Sequence, residues 1–61
     1  MEYISLIRTS GIETTTGNVT PITKDSIVTL IYENEVIVVV KQKWLEIELP
    51  TQVFRRIFKK I

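Results

Sequence analysis

The sequence predicts a small α+β domain, mainly β: an antiparallel sheet or partly closed barrel of four to five strands with one C-terminal amphipathic helix packed on it. Three observations lead there. Residues 26–49 form runs of β-branched and alternating apolar residues parted by short polar turns, the period of strands. Residues 51–61 instead separate at about 100° per residue into an apolar arc of Val53, Phe54, Ile57, Phe58 and Ile61 and a basic arc of Arg55, Arg56, Lys59 and Lys60. Finally, 61 residues make a single domain (1–61), and a chain of that size buries only about 60% of its unfolded surface.

Each element follows from local chemistry. Tyr3-Ile4-Ser5-Leu6-Ile7-Arg8 reads as a first strand, about 3–8. Thr9 to Asp25 is polar and threonine-rich, with Gly11, Gly17-Asn18 and Pro21 as breakers; a weak hairpin over about 12–23 closes at the Gly-Asn step. Strand 26–32 places Val28, Leu30 and Tyr32 on one face and Ile27, Thr29 and Ile31 on the other, before the turn Glu33-Asn34-Glu35.

Val36 to Val40 is an unbroken β-branched run within strand 36–41, and a water-facing side would normally alternate with polar residues. That strand therefore needs cover on both faces. Lys41-Gln42-Lys43 turns the chain into strand 44–49, with Leu45, Ile47 and Leu49 inward and Trp44, Glu46 and Glu48 outward. Pro50 ends it, Thr51 is the expected N-cap, and helix 51–60 lays its apolar arc on Leu45, Ile47 and Leu49.

Composition narrows the function. The chain is 44% hydrophobic and 25% charged, that of a folded protein, and the net charge of +1 conceals an asymmetry. Residues 1–50 carry four basic and seven acidic side chains, or −3, whereas residues 51–61 carry +4. The start lacks a signal-peptide pattern and no apolar run reaches the roughly 18 residues of a membrane span, so a soluble cytoplasmic protein without membrane contact is expected.

Catalysis has poor materials. There is no histidine or cysteine, and Ser5, Ser10 and Ser26 have no recognisable activating partner. Glu46 and Glu48 share a strand face but lack a third metal ligand, and no phosphate loop spacing occurs, so neither catalytic residues, metal nor cofactor are expected.

The opening Met1-Glu2-Tyr3-Ile4-Ser5-Leu6-Ile7-Arg8, the stranded middle and a last strand entering a helix at Val53-Phe54-Arg55-Arg56-Ile57 resemble, in length and order, the carbon storage regulator family of dimeric RNA-binding proteins. The match is one of architecture; Leu49-Pro50-Thr51 stands where that family has a basic residue beside the helix start.

The expected function is non-enzymatic binding, as a regulator or inhibitor acting by protein contact, of the compact kind that phages and mobile elements carry. Trp44, Glu46 and Glu48 are the candidate partner-binding residues. A homodimer through Val36–Val40 or a sheet edge would cover the two-sided strand. The alternative is nucleic-acid or acidic-partner binding by Arg55, Arg56, Lys59 and Lys60.

Overall fold

A computed structural model describes residues 1–61. The strands are β1 (Glu2–Ser5), β2 (Thr9–Glu13), β3 (Val19–Ile22), β4 (Ile27–Glu33), β5 (Ile37–Gln42), β6 (Leu45–Pro50) and β7 (Phe58–Lys60), with helix α1 (Thr51–Ile57) between the last two. All pair antiparallel in one open sheet of order β3-β2-β6-β5-β4-β1-β7. Ile22 on one edge strand and Phe58 on the other belong to a single buried cluster, so the sheet curls around its core although no ladder closes it.

Mainly β architecture is as expected, but there are seven strands rather than four or five. Two of the extra strands are the threonine-rich hairpin. Gly17 takes φ +76°, a left-handed conformation open to glycine, and the turn closes by Glu13 N–H to Asn18 O at 2.9 Å and Gly17 N–H to Glu13 O at 2.8 Å. The hairpin docks on β6 because Gly11 has no side chain. A Cβ there would stand 2.7 Å from the Glu48 carbonyl oxygen and would overlap Ile47 Cγ2.

The remaining strand corrects the helix. Residues 58–60 do not continue the helical arc; Phe58 is extended at φ −113°, ψ 140°, and β7 pairs with β1. The physical reason is β1's outer edge, whose amides need partners. Leu6 N–H donates to Ile57 O at 2.7 Å, and Ile61 N–H donates to Glu2 O at 3.0 Å. Phe58-Lys59-Lys60-Ile61 carries apolar residues three apart, the helical spacing, so here the demand of the β1 edge overrides the local pattern. Thr51 is also not the N-cap. Pro50 holds that place without a side-chain cap, and the buried Thr51 hydroxyl donates instead to Asn34 O at 2.8 Å, tying α1 to the β4–β5 turn.

The helix covers the inner face of the sheet as its apolar arc requires. Phe54 and Phe58 lie with Ile47, Leu49, Val38 and Val40 in the cluster, and Leu45 and Ile57 pack against it. Phe54 stacks on Phe58 and meets Tyr3 edge-on, both at 4.9 Å between centroids. Val53 and Ile61, placed on the same arc by the helical plot, are exposed.

Candidate protein-binding face

In an antiparallel sheet, residues directly opposite one another project from the same face, so the register gives the outer surface row by row. Val19 faces Ile12, Ile12 faces Glu48, Glu48 faces Val39, and Val39 faces Tyr32. One row thus crosses β3, β2, β6, β5 and β4. Its members are exposed or half-buried: Val19 is 70% exposed, Ile12 43% and Tyr32 51%. The next row runs Glu46, Lys41, Thr29 and Glu2. Four exposed polar or charged residues therefore border an apolar row with one carboxylate, Glu48, at its middle.

Tyr32 reaches this face through an irregularity. The β4–β5 register shifts between Leu30 and Tyr32, so Leu30 opposes Val40 on the inner side while Tyr32 opposes Val39 on the outer. Strict alternation had set Tyr32 beside Val28 and Leu30; the bulge at Ile31 reverses it. At the strand's end Asn34 fixes the turn, its Oδ1 accepting from Val36 N–H at 2.7 Å and Ile37 N–H at 2.8 Å.

The sequence candidates fall in two places. Glu46 and Glu48 are on the outer face of β6 as read, Glu46 exposed and Glu48 half-buried. Trp44 is not on that strand face: Gln42 pairs with Leu45, making Lys43-Trp44 a two-residue turn in which Lys43 has φ +57°. Trp44 is 80% exposed at this tip, just beyond Glu46 along the chain. The two-residue turn accounts for the left-handed lysine, and it leaves the tryptophan facing solvent.

The four terminal cations do not form one helical face. Arg55 and Arg56 belong to α1, with Arg55 Nη2 3.4 Å from Glu33 Oε2, while Lys59 and Lys60 alternate on β7, opposite Ile4 and Tyr3. The β7 lysines sit on a free edge of the sheet, a place where charge discourages strand addition. The other edge is blunted by Pro21. Because Glu13 and Asn18 form a hydrogen-bonded pair, the alternation makes Ser10/Pro21 a non-bonded one, so the missing N–H of proline points outward.

Val36 to Val40 is central rather than marginal, lying between β4 and β6. Val38 and Val40 are fully buried, whereas Ile37 and Val39 remain half-buried on the outer face with no layer over them. The sequence did not single out Ile12 or Tyr32. Ser10-Gly11-Ile12-Glu13 does alternate, which would have exposed Ile12 once Gly11 was taken as inward; nothing in the residues marks the bulge that redirects Tyr32.

No group of three or more acidic, histidine or cysteine side chains is placed to hold a metal, and no helix is long and apolar enough to cross a membrane. No protein-family model, curated protein or solved structure matches the chain.

Proposed function

We propose that the protein is a small non-enzymatic binding module that regulates or inhibits by protein contact, using the outer face of β2, β6, β5 and β4 with Trp44 at its end. The observation that carries this reading is the five-strand row of exposed and half-buried apolar side chains around Glu48. Such a row, bordered on one side by charged and polar residues, has the make-up of an interface patch. Glu46 and Glu48 supply polarity within it, and Trp44 supplies an anchor at the tip.

The test is a photoreactive side chain placed at Ile12 or, separately, at Tyr32. Irradiation in an extract of the native host should give a discrete adduct with a protein, and Glu48→Lys should remove it while the circular dichroism spectrum stays native. Absence of any adduct from both positions would refute the reading. Nucleic-acid binding through Arg55, Arg56, Lys59 and Lys60 is the second proposal, supported by the +4 charge of residues 51–61. It is the weaker one, because those cations are divided between a helix and a sheet edge.

A further inference from the structure

Lys41 and Glu46 face one another directly across β5 and β6 on the outer surface, yet neither forms an ion pair; the only one in the chain joins Arg55 to Glu33. This arrangement is self-complementary in one particular orientation. A twofold axis parallel to the strands, running between β5 and β6, lays each β5 over the partner's β6 at the same level. Lys41 then stands over the partner's Glu46, and Glu46 over the partner's Lys41. In the same arrangement Tyr32 lies toward the partner's Ile12, because the two lie in one row, and Ile37 stands over the partner's Pro50. Val39 stands over the aliphatic stem of the partner's Glu48, whose carboxylate has no cation opposite it.

Two other placements of the axis fail on charge. An axis across the strands maps β6 onto its own copy and brings the acids Glu46 and Glu48 against acids. Shifting the parallel axis to lie between β5 and β4 sets Glu46 against the partner's Glu2, again acid on acid. Facing sheets pack about 10 Å apart and within about 30° of parallel, a gap that lysine and glutamate side chains can span.

We infer that the outer face of β5 and β6 receives a second copy of this chain, stacked face to face about that axis. The inference rests on the outer face being the binding surface and names its occupant. It also covers Ile37 and Val39, the half of the β-branched run that the single chain leaves without a layer. The contact is isologous, so it closes at two copies and does not propagate.

The test is sedimentation velocity of the wild-type chain from about 10 μM to about 1 mM, the range in which a modest interface declares itself. A concentration-dependent dimer is expected. Lys41→Glu and Glu46→Lys should each weaken it by roughly tenfold or more, and the double exchange should restore it to within roughly threefold. If a reversal variant does not fold, Lys41→Gln and Glu46→Gln replace it, each expected to weaken the dimer several-fold.

A monomer throughout that range overturns the inference, as does a dimer indifferent to both substitutions. A monomeric wild type whose Ile12 probe still crosslinks a different protein sinks the second-copy occupant and leaves the binding reading standing. Monomer and no adduct together remove both.

Discussion

Replacing Gly11 by alanine should damage this domain far more than one methyl group normally does. Gly11 is buried in β2 where that strand crosses β6, and an added Cβ would lie 2.7 Å from the Glu48 carbonyl oxygen and 2.9 Å from Leu49 Cδ2. Leu49 can rotate; the carbonyl cannot, since β6 is held by ladders on both sides. Relief requires lifting β2 from β6, which also withdraws the buried Ile22 on β3. Overpacking against side chains costs about 1–3 kcal/mol, and a backbone obstacle places this case at the upper end. A domain of this size holds only about 3–5 kcal/mol in total. With a urea slope of about 1 kcal/mol per molar, the midpoint should fall by about 2–3 M. Gly17→Ala is the control: it has open space around it but φ +76°, so it should cost only about 1 kcal/mol. A Gly11→Ala midpoint within about 0.5 M of wild type, by the same slope, would show that β2 does not sit on β6 as described.

Thr51→Val should lose about 1–2 kcal/mol in urea unfolding, because Asn34 O loses its buried donor and the helix start loses its tie to the β4–β5 turn. Phe58→Ala should cost about 3–5 kcal/mol and leave little folded protein at 25 °C by circular dichroism, since Phe58 belongs to the core and begins the strand that completes β1. Arg55→Ala should change the melting point by no more than the scatter of replicate scans, its ion pair with Glu33 being exposed and long. On a heparin column, the nucleic-acid proposal requires retention at low salt that falls steeply with added salt and disappears in Arg55→Glu with Arg56→Glu; elution in the void volume would end it.

The three central strands were legible because β-branched runs and polar turns agree there, and the cover that α1 lays over Ile47 and Leu49 was legible in the arc of Phe54 and Phe58. The failures have specific causes. Residues 58–61 carry the helical spacing, and it is overridden by β1's unsatisfied amides, a long-range demand that no local pattern records. Trp44 lies one step outside the strand that alternation predicts, because Lys43 takes a positive φ that is unusual for lysine in a two-residue turn. Of the candidate site, Glu46 and Glu48 were placed correctly on the outer face. Ile12 and Tyr32 required the docking of β2 through Gly11 and the bulge at Ile31, both of which depend on contacts between distant segments.

The pairing of β1 with β7 has a mechanical meaning. Ile61 N–H bonds to Glu2 O, so the two ends of the chain leave the sheet side by side. A force applied to the termini therefore meets the ladder at its end and opens its bonds one after another, like a zipper, instead of shearing them together. Once β7 is peeled away, Phe58 leaves the core and the β1 edge is bare. Fused at both ends into a stretched polymer, this domain should yield at low force, with the C-terminal residues the first to let go.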